Sequence, residues 1–140
     1  MAKIELIRVQ GDYGFETIDD NDSLTRIDGS PEIGGRNFGA RPMNLLLNAL
    51  AGCASIDVIM ILKKQKQDVT GYKVVINAEK EQDKEFYLWK NIDMTFYVSG
   101  NVEEGRVKRA VELSMNKYCS VAETLKRAGA KINTNIVVNQ

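Results

Sequence analysis

Histidine is absent from the 140 residues of this chain. Its absence excludes serine–histidine and cysteine–histidine catalysis, in which an imidazole activates the nucleophile, and it excludes zinc sites that use histidine ligands. Cysteine is scarce, with only Cys53 and Cys119, and their separation of 66 positions does not match the close spacing of a zinc knuckle. We therefore expect neither a metal nor a cofactor.

An excess of charge of either sign is also missing, because 19 lysines and arginines balance 19 aspartates and glutamates. Without a basic excess, nucleic acid is not an expected partner. The first ten residues, MAKIELIRVQ, lack the apolar run of a signal peptide, which predicts a cytoplasmic location. A cysteine pair in that compartment is more often catalytic, redox-active or metal-binding than a standing structural disulfide.

The longest apolar run covers residues 41–66 and carries Cys53 near its middle. Pro42 suits a first helical turn, and lysines at the end of the run suit the negative end of a helix dipole. Four residues recur at helical spacing and so share one face: Leu46, Leu50, Cys53 and Asp57. Polar side chains inside the run argue against a membrane-spanning helix, so we expect no membrane partner.

Small side chains surround Cys53 in this predicted helix. They are Ala49, Ala51, Gly52, Ala54 and Ser55. Such residues let another backbone come close, or leave room beside the sulfur for a substrate. The same pattern is compatible with an inert cysteine in a packed core helix, because free cysteine is among the most buried residue types.

The remaining pattern predicts an α+β chain, with the order β-β-β-α-β-β-α-α-β in a single domain covering residues 1–140. Strands are predicted at 3–9, 13–18, 23–28, 72–78, 86–99 and 132–138. Between them we expect a flexible glycine-rich loop at 29–39 and a charged turn at 79–85.

Two capping signals define the helical pair. Asn101, followed by Glu104, predicts a helix that runs to about Tyr118. Ser120, followed by Glu123, predicts a second helix that begins just after Cys119 and ends near residue 129.

Cys119 therefore lies at a helix N-terminus, where the partial positive charge lowers a thiol pKa. The alternative is that Cys119 only fills a gap between two helices. Together with Cys53 it suggests a redox pair, which requires the two Cα atoms to come within about 7 Å.

Two segments, PMNLLLNALAGCASIDVIMILKK and AVELSMNKYCSVAETL, resemble the OsmC/Ohr family, and most closely its small OsmC-like (YhfA-like) branch. The resemblance covers nearly the whole chain after Arg41. It implies an OsmC-like fold with a strand-rich N-terminus, a long central helix carrying Cys53, a β-hairpin, a helical pair and a C-terminal strand. It also implies an intertwined homodimer, which agrees with a central helix that is apolar on more than one face.

The resemblance further implies a thiol-dependent peroxidase that reduces organic hydroperoxides, or in some members hydrogen peroxide, without a metal. By this resemblance Cys53 is the peroxidatic cysteine, which forms a sulfenic acid. Cys119 is then the resolving cysteine, and a dithiol reductant reopens the resulting disulfide.

The alternative function is a non-catalytic dimeric module that binds a hydrophobic small molecule beside Cys53, and a weaker one is a purely structural subunit. Active members of the family hold a glutamate nine or ten residues before the peroxidatic cysteine, where it orients an arginine. Those positions are Met43 and Asn44 here, which favours the binding module. Four arginines are candidates for the supporting cation: Arg8, Arg26, Arg36 and Arg41.

Overall fold

The computed structural model describes all 140 residues. The strands are β1 (Ile4–Gln10), β2 (Gly14–Asp19), β3 (Leu24–Ile27), β4 (Asp68–Asp83), β5 (Phe86–Asn101) and β6 (Lys131–Val138). The helices are α1 (Pro42–Lys64), α2 (Glu104–Leu113) and α3 (Ser120–Arg127), with a 3-10 turn at Pro31–Ile33 and a π-helical turn at Ser114–Tyr118. The predicted order of elements and the α+β class are confirmed.

The chain divides into two units, Met1–Asn48 and Ala49–Gln140, with the boundary inside α1. The prediction that residues 1–140 form one domain stays a prediction. The first unit contains the antiparallel sheet β1-β2-β3. Every residue of β1 is exposed, including its apolar side chains Ile4, Leu6, Ile7 and Val9.

The glycine-rich loop of the first unit is organised around Asp28, a carboxylate that is only 2% exposed. It accepts backbone N–H bonds from Gly29 at 2.7 Å, Arg36 at 2.9 Å and Phe38 at 3.1 Å. The bond from Arg36 is the main cause of a lowered pKa for Asp28, and burial opposes it. The prediction of a flexible connection therefore missed a carboxylate that satisfies several of the loop's backbone donors.

The second unit is built on the sheet β4-β5-β6, in which β5 pairs antiparallel with β4 and parallel with β6. The strand predicted at 86–99 is confirmed as β5, and alternate side chains along it are fully buried: Ile92, Met94, Phe96 and Val98. A row at every fourth position of α1 is fully buried as well: Leu50, Ala54, Val58 and Leu62. The hydroxyl of Tyr72 on β4 donates to Ser55 Oγ at 2.9 Å, which fixes the rotation of α1 over the sheet.

The β4–β5 hairpin is longer than predicted. Pairing continues as far as Asp83 with Phe86, so the turn is reduced to two residues, and Lys84 in it has a φ of 57°. The charged residues expected to form a turn instead extend β4. Residues 79–88 are exposed. The backbone hydrogen bonds between the two strands continue there from the part of the sheet that packs in the core.

The helix caps also differ from the prediction. Asn101 is the last residue of β5, and α2 begins after Glu103, whose side chain makes no capping hydrogen bond. At α3 the predicted start is confirmed, but the capping residue is Cys119 and not Ser120, because the sulfur accepts the N–H of Ala122 at 3.4 Å. The S-x-x-E pattern identified the start of the helix but the wrong cap.

By length and composition alone, α1 is long and apolar enough to cross a membrane. Core helices of other proteins meet the same criterion. Four large apolar side chains of α1 remain exposed in the single chain, namely Leu46, Ile56, Ile59 and Met60. The expectation of no membrane partner stays a prediction.

Candidate redox site

Two elements of the second unit bring the cysteines together. Cys53 lies in α1, and Cys119 lies between the π-helical turn and α3. Their sulfur atoms and a carboxylate oxygen of Asp57, one helical turn beyond Cys53, all lie within 4.8 Å of one another. Both cysteines are free thiols. The prediction that the two thiols come within disulfide reach is confirmed.

The π-helical turn Ser114–Tyr118 sets the position of Cys119. The backbone N–H of Cys119 donates to the carbonyl of Ser114 at 2.8 Å, which closes the widened turn. Turns of this kind are rare and frequently occur at functional sites. The sequence predicted a continuous α-helix to Tyr118, so this widening was missed.

Ser114 connects the turn to α1. Its hydroxyl is fully buried, donates to Asp57 Oδ2 at 2.9 Å and lies 3.4 Å from the carbonyl oxygen of Ala54. The hydrogen bond fixes the carboxylate beside the sulfurs and leaves its second oxygen for another partner. A role for Ser114 was not predicted. Two signals indicate such a pair, namely a serine at the end of an apolar helical face and a carboxylate inside an apolar helix.

The predicted lowering of the Cys119 pKa is wrong. Burial raises the pKa of Cys119 from its ordinary value of 9.0 to about 11, since the residue is only 3% exposed. The N–H of Ala122 opposes this rise, while the neighbouring Cys53 thiol and the Asp57 carboxylate add to it. The partial positive charge at the start of a short helix does not offset the burial of the Cys119 thiol and its unfavourable interactions with Cys53 and Asp57.

The two thiols differ in access. Cys53 is half-buried, whereas Cys119 is buried. A Cβ built on Gly52, next to Cys53, would have no atom from outside its own stretch of helix within 4 Å, so no other backbone packs against that position in the single chain. Cys53 is therefore the more exposed of the two thiols.

A pocket of about 460 Å³ extends along α1 from the site. It is lined by Asp57, Met60, Ile61, Lys64, Gln65, Leu113 and Tyr118. Its volume falls in the range of small-molecule sites, and its walls combine apolar side chains with a few polar groups, as such sites do. Asp57 belongs to both the pocket and the sulfur cluster, whereas neither cysteine lines the pocket.

The comparisons with known proteins agree with this fold. A family model described as OsmC-like protein matches residues 34–135, and the chain therefore belongs to the OsmC-like family. Over 88 residues the chain is 41% identical to Protein YhfA of Escherichia coli K12, a match that covers 62% of this chain and 65% of that relative's length. The expected family is thereby confirmed.

Solved structures show the same fold along the whole chain. An OsmC-like protein from Mycoplasma pneumoniae superposes with a TM-score of 0.80 at 17% identity and covers 100% of this chain and 98% of its own. An organic hydroperoxide resistance protein from Legionella pneumophila gives 0.69 at 11% identity, with coverage of 100% and 97%. These likenesses confirm the predicted OsmC-like fold.

Proposed function

We propose that the protein is a thiol-dependent peroxidase that reduces organic hydroperoxides, with hydrogen peroxide as a further candidate substrate, Cys53 as the attacking cysteine and Cys119 as the resolving one. The observation that carries this proposal is the pair of free sulfurs within 4.8 Å, one accessible and one buried. Family membership and a structural neighbour named for organic hydroperoxide resistance support it.

In the first step, the Cys53 thiolate attacks one oxygen of the peroxide ROOH. The S–O bond forms, the O–O bond breaks, and the leaving alkoxide takes a proton to become ROH. Cys53 is oxidised to a sulfenic acid, and the peroxide is reduced. The apolar wall of the pocket, from Met60 to Tyr118, suits the R group of such a substrate.

In the second step, Cys119 attacks the sulfur of the Cys53 sulfenic acid. The S–S bond forms and the hydroxyl leaves as water, so the Cys119 thiol must lose its proton. Asp57 supplies the nearest carboxylate, and one water molecule between the groups is sufficient to transfer that proton. A dithiol reductant then returns both thiols by exchange.

The same proposal places the protein in the cytoplasm as a homodimer. Exposed apolar side chains on α1 and β1 support the dimer, because a stable monomer would leave them in water.

The second candidate function is a dimeric module that binds a hydrophobic small molecule without turning it over. The pocket volume favours it, as does the absence of a carboxylate at Met43 and Asn44 in the first turn of α1. Titrating the free thiols before and after one equivalent of cumene hydroperoxide separates the two functions. The peroxidase loses both thiols, and a DTT wash restores them, whereas the binding module keeps both throughout.

A further inference from the structure

In its reduced state the site offers two thiol sulfurs and one carboxylate oxygen, which are atom types that bind zinc. The two sulfurs and the carboxylate oxygen belong to Cys53, Cys119 and Asp57, and they lie within 4.8 Å of one another. From this juxtaposition we propose that the reduced protein binds one Zn²⁺ per chain through these three side chains. The inference is independent of the peroxidase proposal, because it concerns only what the reduced thiols ligate.

The geometry needs only a small adjustment. Zinc bonds of about 2.3 Å to sulfur and 2.0–2.2 Å to oxygen place tetrahedral ligands roughly 3.3–3.8 Å apart. The observed separations reach at most 4.8 Å, so side-chain rotations of about 1 Å close the site. The separation of 66 positions between the cysteines does not match a zinc knuckle, but the fold brings the two sulfurs close together in space.

Asp57 distinguishes this site from a mere pair of thiols. Ser114 donates to Asp57 Oδ2 at 2.9 Å, as the outer partners of metal-ligating carboxylates do, and this hydrogen bond restrains the carboxylate. The pocket that Asp57 lines provides a path from solvent to this carboxylate, and a water would complete the four ligands of zinc. Of the two sulfur ligands, that of Cys119 is buried and that of Cys53 is half-buried.

Binding has two chemical consequences. Each thiol gives up its proton as its sulfur bonds to the metal, so the uptake of one Zn²⁺ releases two protons. A disulfide between Cys53 and Cys119 removes both sulfur ligands, so the zinc-bound and oxidised states exclude one another. Zinc thus masks the thiols reversibly until the metal is withdrawn.

The experiment is a Zn²⁺ titration of reduced, metal-free protein against a chromophoric chelator, with proton release followed in weak buffer. We expect one equivalent bound and two protons released. Asp57→Asn, which keeps an oxygen for the Ser114 hydrogen bond, should weaken affinity at least about tenfold, and Ser114→Ala should weaken it by a similar factor. Asp93→Asn is the matched control, since Asp93 is exposed and bonds only Asn133 at 3.0 Å.

The parent protein provides a test that does not depend on any variant's folding. Diamide, which takes two electrons and two protons from a dithiol, should abolish binding, and dithiothreitol followed by its removal should restore it. Affinity unchanged in a folded Asp57→Asn variant would overturn the site, because the thiols alone would then explain the binding. So would a parent that takes up no Zn²⁺. Neither result bears on peroxide consumption, which is measured separately with a chelator present.

Discussion

The clearest quantitative consequence of the site concerns the reactivity of Cys119 in the metal-free protein. Its pKa is about 11 against an ordinary 9.0, chiefly because of burial. Only the thiolate reacts with iodoacetamide. At about pH 8 the thiolate fraction therefore falls from roughly one in ten to roughly one in a thousand, a factor of roughly 100.

The perturbation is a pH series, from about pH 7 to about pH 11, on the Cys53→Ser variant, which isolates the second thiol. Labelling is followed by intact mass with a chelator present. We expect the rate to rise about tenfold per pH unit well beyond pH 9, although the loss of Cys53 removes a smaller contribution and lowers the pKa somewhat. Unfolding in urea should restore the ordinary profile. A native rate that levels off near pH 9 would refute the claim that burial protects this thiol.

Three further predictions concern the fold. Asp28→Asn should loosen residues 29–39, seen as faster amide exchange there. The folded pKa of Asp28 lies below its ordinary 3.8, so the stabilising effect of the ionised carboxylate is complete above pH 3.8 and is lost as the pH falls through the folded pKa. The free energy of unfolding of the parent should therefore fall more steeply in acid than that of the variant. Phe96→Ala should cost about 3–5 kcal/mol in urea unfolding, since its ring is fully buried, and a cost below about 1 kcal/mol would contradict the packing of β5. Sedimentation at micromolar concentration should show a homodimer, and a stable folded monomer would contradict it.

The sequence predicted the elements that depend on local periodicity. The strand predicted at 86–99 corresponds to β5, in which alternate side chains are buried. The face predicted for α1 was only partly right, since Leu50 is buried but Leu46 is exposed. The OsmC-like fold and the approach of Cys53 to Cys119 were predicted as well. In each case the signal lies within a short stretch of sequence or in a family motif.

Features that depend on tertiary contacts were missed. The π-helical turn was one of them, and its first residue, Ser114, donates a hydrogen bond to Asp57 of α1, which is 57 residues away in the sequence. The helix-terminus argument for Cys119 gave the wrong sign because it counted the partial charge of α3 and could not count burial. The charged hairpin was shortened in the prediction because charge was taken as a turn signal, whereas Lys84 alone adopts the left-handed conformation there.

The central claim is that Cys53 attacks the peroxide and Cys119 resolves the product. It is tested most directly by peptide mass mapping of the parent and of Cys119→Ser after one equivalent of cumene hydroperoxide, with dimedone present to trap sulfenic acid. The account predicts a Cys53–Cys119 disulfide in the parent and a dimedone adduct on Cys53 in the variant. A parent whose two thiols stay reduced, or a variant without an adduct on Cys53, would contradict it.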